Sequence, residues 1–209
     1  MNQKIVIIDY GSGNLQSVLN AFIKINPDFD VKISNKAADL KTATHIILPG
    51  VGAFADCIKA LSAIGGMIDT LKEEILINKK PFLGICVGMQ LLANIGLEYG
   101  KSAGLGFIEG NVGKIDDQNK SLKIPHIGWN EVEFEQKHPI LKNIKNNEHF
   151  YFVHSFKFMA ENSENIIATT NYGQKITAII AKNNIVATQF HPEKSSDAGL
   201  QILENFSQL

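Results

Sequence analysis

Gly84-Ile85-Cys86-Val87-Gly88 sets one thiol between two glycines, each two residues away. This small-x-nucleophile-x-small spacing suits a sharp passage from a strand into a helix, which lifts the central side chain clear of the sheet edge. Glycines on both sides keep Cβ atoms out of the crowded backbone crossing. At a helix N-terminus, unpaired N–H groups and the helix dipole favour the thiolate, the attacking form of cysteine. A buried packing role is the plain alternative for such a cysteine. A partner base is needed to make the elbow a catalytic centre.

That base must be an imidazole within reach, itself oriented by a third group. His191-Pro192-Glu193 follows directly on the apolar run 185–190. In an extended segment, positions i and i+2 project to the same side, so His191 and Glu193 can face one site. The carboxylate can hold the ring tautomer and stabilise the imidazolium. Of the other histidines, His45 reads as a strand-start residue, and His138 and His149 as loop residues. His126 in Pro125-His-Ile-Gly-Trp-Asn130 and His154 in Tyr151-Phe-Val-His-Ser-Phe156 lie in stretches unusual enough to mark a site or an interface. A second loop, Pro49-Gly50-Val51-Gly52-Ala53, follows the apolar run 46–48. Backbone N–H groups there, with that of Val87, could hold a developing oxyanion.

These loops need a sheet to carry them, and composition allows one. The chain has 209 residues, 44% hydrophobic and 20% charged, enough for a large core in one domain spanning 1–209. A net charge of -1 argues against a nucleic-acid or anionic-membrane surface built on bulk charge. No run approaches the roughly 18 apolar residues of a membrane span, and no signal peptide is evident. Cys57 and Cys86 make no disulfide framework, and no Cys/His spacing suggests a metal site. Cytoplasm is the expected compartment, and Cys57 is expected to pack. Gly11-x-Gly13 lacks a third glycine at the dinucleotide spacing, so no such cofactor is expected.

The first half alternates strands and helices: strands at 4–9, 30–34, 44–48 and 81–85, helices at 15–24, 54–61, 67–78 and 87–98. Leu15, Val18, Leu19, Phe22 and Ile23 are expected to face inward, and Gly65-Gly66 separates two of the helices. After the turn-rich 104–110 the segments become short and strand-like, at 112–115, 122–124, 131–134, 150–156, 166–170, 176–181 and 185–190, with a helix at 199–206. Asn119-Lys120 and 143–147 read as solvated turns, and the 12 phenylalanines as scattered core. The pattern is an α/β fold with a mixed central sheet flanked by helices and carrying a nucleophile elbow.

Taken together, the motifs resemble the class I, triad-type glutamine amidotransferases. Within them they resemble the family of glutaminase subunits of imidazole glycerol phosphate synthase. The similarity runs along Asp9-Tyr-Gly-Ser-Gly-Asn-Leu15, Pro49-Gly-Val-Gly-Ala-Phe54, Gly84-Ile-Cys-Val-Gly-Met-Gln90, Gly104-Leu-Gly-Phe-Ile-Glu-Gly110, Pro125 to Asn130, Tyr151 to Phe156 and Ala187 to Ser195. The elbow and His-Pro-Glu belong to the wider class; Pro-Gly-Val-Gly and Pro-His-Ile-Gly-Trp-Asn are particular to the subunit family. Val87 stands where relatives often carry Leu, a volume-tolerant swap.

The resemblance implies Cys86 as nucleophile, His191 as acid and base, and Glu193 as its orienting carboxylate. It implies an oxyanion hole from Gly50, Val51, Gly52 and Val87, with a peptide reorientation in the loop. Gln90, Glu98, Ser155 and Phe156 would hold the two ends of L-glutamine. Asn14, Trp129, Tyr151 and Lys194 would lie near a separate (β/α)8 synthase subunit. Glutamine would pass through a γ-glutamyl thioester to glutamate, and the ammonia would enter the partner, which makes imidazole glycerol phosphate and the aminoimidazole carboxamide ribonucleotide. Activity alone is expected to be weak. Three rivals differ in partner or chemistry: a paralogous glutaminase feeding another synthase such as one for surface-sugar amidination, a cysteine hydrolase needing no partner, and a catalytically dead scaffold.

Overall fold

Near-continuous apolar runs become the buried strands of a wide sheet. The computed structural model describes residues 3–116 and 122–209. Its first half comprises β1 (Lys4–Ile8), α1 (Leu15–Ile25), β2 (Asp30–Ser34), α2 (Ala37–Thr42), β3 (His45–Gly50), α3 (Phe54–Ala63), α4 (Met67–Leu71) running into a wider turn at Lys72–Ile77, and β4 (Phe82–Cys86). After the elbow come α5 (Val87–Gln90), β5 (Ile95–Gly96), β6 (Ser102–Ala103), β7 (Gly110–Lys114), β8 (His126–Phe134), β9 (Glu148–His154) and β10 (Phe156–Ala160). The chain closes with β11 (Ile166–Asn171), β12 (Lys175–Lys182), β13 (Ile185–Thr188) and α6 (Ser196–Ser207).

Nine strands form the main sheet in the order β2-β1-β3-β4-β13-β12-β11-β8-β9. The half from β2 to β13 is parallel and the half from β13 to β9 antiparallel. Parallel strands covered on both faces are near-continuously apolar, as β4 is and β3 is after His45, with every residue buried. β4 and β13 are hydrogen-bonded neighbours, Thr188 opposite Ile85. The elbow and the His191 segment therefore leave the sheet side by side. Eight of the phenylalanines, among them Phe22, Phe82, Phe150 and Phe190, are fully buried core.

The expected helix at 87–98 stops after one turn. Beyond Gln90, tertiary bonds capture the backbone: Leu91 and Ala93 carbonyls accept from Leu105 and Gly106 N–H, and the Asn94 amide oxygen accepts from Gly110 N–H. Ile95 and Gly96 then pair with β6 and β7, where a side chain on Gly96 would run into the Phe54 ring. This builds a second sheet, β10-β7-β5-β6, that the sequence pattern did not disclose. The expected strand 122–124 is a bent segment, with Tyr172 donating to the Lys123 carbonyl at 2.6 Å and Pro125 supplying no donor. The stretch 150–156 splits at Ser155 into β9 and β10, which enter different sheets. In α1, Val18, Ala21 and Phe22 are buried while Ile23 is 46% exposed, one position off the inward stripe. Asn143 and Asn147 adopt φ of 62° and 63°, as a polar turn permits, whereas Asn119-Lys120 lies outside the described residues. No helix among the described residues is long and apolar enough to cross a membrane.

Candidate active site

Cys86 ends β4 and begins α5 with φ 56° and ψ -110°, a left-sided backbone conformation that a cysteine rarely adopts. The surrounding packing enforces it. A Cβ on Gly88 would fall 1.8 Å from the Leu48 carbonyl oxygen, and one on Gly84 2.8 Å from that of Gly88. Only glycine lets α5 pass this close over β3 and β4. Cys86 is only 3% exposed, and Sγ lies 3.9 Å from the Val153 carbonyl.

His191 leaves β13 in extended conformation, and Pro192–Lys194 then forms a single tight helical turn. The extended geometry expected for His-Pro-Glu is thus replaced after its first residue. The turn still returns the carboxylate to the ring: Glu193 Oε1 lies 2.8 Å from His191 Nδ1, with side chains only 1% and 2% exposed. Burial opposes the imidazolium, but Cys86 and Glu193 outweigh it and hold the ring's titration up at about 10. By strict geometry His191 Nε2 has no hydrogen-bond partner, while Cys86 is near enough to act on its charge. The backbone is anchored by His191 N–H to the Tyr151 carbonyl at 3.0 Å and by Ser195 Oγ to the His191 carbonyl at 2.6 Å.

One cavity of about 260 Å³ gathers Cys86 and His191 with Val51, Gly52, Val87, Gln90, Glu98, Ser155 and Phe156. That is smaller than the roughly 300–1,000 Å³ usual for drug-sized ligands and fits an amino-acid substrate. Gly50 lies outside the lining, wedged where a Cβ would meet the Tyr10 hydroxyl at 2.4 Å. Glu193 also stands back, behind His191. Glu98 Oε2 accepts from Phe54 N–H at 2.8 Å, tying the cavity rim to the start of α3. The Val51 N–H is not free for the cavity, because it donates to Ser12 Oγ at 3.2 Å, and the same hydroxyl donates to the Val51 carbonyl. Cys57, expected to pack, is buried and also donates to that carbonyl, at 3.4 Å.

Trp129, Tyr151 and Lys194 cluster outside the cavity. Trp129 and Tyr151 are paired across β8 and β9 with ring centroids 6.1 Å apart, and Lys194 Nζ stands 6.0 Å from the Tyr151 ring. Asn14 precedes α1, a helix packed against the 192–194 turn. Pro125, Val153 and His154 also line the cavity, and Gln189 reaches the Cys86 sulfur from behind. Sequence reasoning flagged the neighbourhoods of Pro125 and His154, and had Ser12 and Gln189 inside quoted motifs without giving either a role. A polar pair, Thr188-Gln189, inside an apolar strand run was the residue-level signal for Gln189. Among the described residues no group of three or more His, Cys, Asp or Glu could hold a metal ion.

The glutamine amidotransferase class-I family model matches residues 6–208. Curated relatives called "Imidazole glycerol phosphate synthase subunit HisH" include one from Pelagibacter ubique, 45% identical over 98% of this chain and 99% of its own. Another, from Rhodospirillum rubrum, is 44% identical over 97% of each. "Subunit HisH 1" of Campylobacter jejuni is 48% identical over 98% of this chain and all of its own. In fold, the chain resembles a solved glutamine amidotransferase at TM-score 0.73 and 19% identity, covering 98% of this chain and 99% of that one. PurLQS from Thermotoga maritima superposes at 0.71 with 17% identity, covering 99% and 98%. With a family model over nearly its whole length and relatives this similar end to end, the chain belongs to the class-I glutamine amidotransferases, in the family of HisH subunits of imidazole glycerol phosphate synthase.

Proposed function

We propose that this chain, as one domain over residues 1–209, is the glutaminase subunit of imidazole glycerol phosphate synthase and releases ammonia from L-glutamine with a Cys86-His191-Glu193 triad. The observation that carries the reading is the meeting of a strained-elbow thiol and a carboxylate-held imidazole at one amino-acid-sized cavity. The Cys86 thiolate attacks the side-chain carboxamide carbon, and the carbonyl becomes an oxyanion. Val87 N–H and a donor from the Val51–Gly52 loop receive that oxyanion. His191, imidazolium below about 10, gives its proton to the departing nitrogen as the C–N bond breaks. Ammonia leaves and a γ-glutamyl thioester remains. Neutral His191 then takes a proton from water, whose attack on the thioester yields glutamate and returns the thiolate. Gln90, Glu98, Ser155 and Phe156 hold the α-amino and carboxylate ends of the substrate.

The partner is a separate (β/α)8 synthase subunit seated on the outer face of β8 and β9. On that face Val153, which lines the cavity, is followed by Tyr151 and Trp129, the latter 51% exposed. Ammonia released beside Val153 therefore emerges at the docking surface, with Asn14 and Lys194 at its border. The bond from Val51 N–H to Ser12 supports low activity without the partner, since the loop donor is engaged elsewhere. Two free cysteines suit a reducing compartment, the cytoplasm.

Glutamate release should be measured for the chain alone and then with the cyclase subunit and its ribonucleotide ligand. A rise of tenfold or more on completing the mixture is expected, and Cys86→Ala should abolish it while leaving synthesis from ammonium salts intact. No rise with that cyclase would assign the glutaminase to a different synthase. Undiminished hydrolysis by Cys86→Ala would remove the triad assignment.

A further inference from the structure

One backbone carbonyl sets the direction of a hydrogen-bonded chain that runs from the outer sheet edge to the candidate nucleophile. The Phe156 oxygen can only accept, and two donors reach it: His154 Nδ1 at 2.8 Å and Gln90 Nε2 at 3.1 Å. On the first branch His154 Nδ1 therefore carries the ring proton, so Nε2 accepts from His126 Nδ1 at 3.0 Å. His126 Nε2 in turn accepts from the Asn130 amide at 3.2 Å, which also donates to the Asn171 carbonyl at 2.9 Å. Stacking on Phe152 and Tyr172, at centroid distances of 4.9 and 4.0 Å, fixes the plane of His126. On the second branch Gln90 Nε2 gives its other hydrogen to Gln189 Oε1 at 3.0 Å. An amide whose oxygen faces Gln90 must turn its nitrogen away, and Gln189 Nε2 lies 3.7 Å from Cys86 Sγ. Gln189 is completely buried, so no water competes for that N–H.

We propose that Gln189 is a further catalytic residue, its amide N–H held on the Cys86 sulfur to favour the thiolate, that Gln90 is the positioning residue that aims it, and that His154 and His126 are positioning residues that hold in place the Phe156 carbonyl on which Gln90 is set. The proposal rests on the reading of Cys86 as nucleophile. An N–H donor stabilises a sulfur anion more than a thiol, so it raises the thiolate fraction at neutral pH while slightly blunting each thiolate. The bond weakens as sulfur loses charge in the thioester and reforms when the thiolate departs from it. Burial lowers both His126 and His154 to about 4, so the relay keeps its donor-to-acceptor direction through neutral pH. Gln189 does not line the substrate cavity and meets it only through Gln90 and Cys86.

The experiment uses the full chain: iodoacetamide alkylation of Cys86 across pH, resolved from Cys57 by mass spectrometry, and glutamine kinetics with the synthase subunit present. Gln189→Leu removes the donor at similar volume. Its alkylation profile should move up by about one pH unit, roughly tenfold slower at neutral pH with no loss at the alkaline plateau. The kcat should fall about tenfold, with KM within about threefold. His126→Phe keeps the stacked ring and should shift the profile the same way, by about threefold at neutral pH. A packing defect would depress the plateau rather than displace the profile. Profiles and kcat within about twofold of the unaltered chain in both variants overturn the proposal. If Gln189→Leu does not fold, His126→Phe decides by the same limits. Hydrolysis surviving Cys86→Ala would instead sink the nucleophile reading, and this proposal with it.

Discussion

His191 and His154 face the same cavity, each almost wholly buried, and each places Nδ1 2.8 Å from an oxygen. For His191 that oxygen is the Glu193 carboxylate; for His154 it is the neutral Phe156 carbonyl. The first ring is held up at about 10 and the second down at about 4. Burial pushes both the same way, and a carbonyl bond offsets it only in part, whereas full charges on Glu193 and Cys86 reverse it. His126 and His191 add repulsion at His154. Two imidazoles with matching geometry thus take different protonation states, one suited to giving and taking protons, the other to holding a fixed direction.

The largest test of that contrast converts one case into the other. Glu193→Gln leaves His191 a neutral acceptor at the same place, so its titration should drop well below about 10. Glutamine hydrolysis should fall on the order of 10³-fold, as orientation and imidazolium stabilisation are both lost. Ring-proton NMR titration together with kcat would check this, and an unmoved titration would mean that Glu193 is not what holds the charge.

A smaller effect concerns stability against pH. His126 and His154 titrate lower in the fold than an unfolded histidine near 6.5, so the unfolded chain binds more protons and stability is lost as pH falls from about 6.5 through about 4. His191 titrates higher, so its contribution is complete below about 6.5 and is lost as pH rises through about 10. Urea midpoints across pH should show both limbs. His126→Phe should flatten the acid limb and Glu193→Gln the alkaline one; the reverse pattern would refute the contrast.

The smallest effect is at the Val51–Gly52 loop. Ser12→Ala frees the Val51 N–H from its present acceptor, though the Cys57 thiol still engages the Val51 carbonyl. Hydrolysis by the chain without its partner should rise by about threefold, as one net hydrogen bond of resting stability is removed. Unchanged steady-state turnover would show that this bond does not restrain the loop.

Much of the site was legible because local backbone demands leave marks in sequence. Gly84 and Gly88 are required by contacts within and beside the elbow, and Pro192 turns Glu193 back onto its near neighbour His191. The apolar runs of β1, β3, β4 and β13 follow from burial on both faces. Other features were illegible for an equally physical reason. Val87, Leu91, Leu92 and Ile95 carry helical spacing, yet α5 ends at Gln90 because bonds from Leu105, Gly106 and Gly110 hold the next turn open. No local pattern records partners that lie 13 or more residues away. Gln189 and Cys86 are 103 positions apart, and His126 and His154 are 28 apart. The sequence by itself determined the sharp elbow at Cys86, the imidazole-carboxylate pair and the mixed α/β order, since each depends on neighbours or on apolar periodicity. Only the tertiary structure decided the second sheet, the Ser12 hold on Val51 and the direction of the amides at Cys86, because hydrogen-bond polarity is settled by whichever distant groups burial brings together.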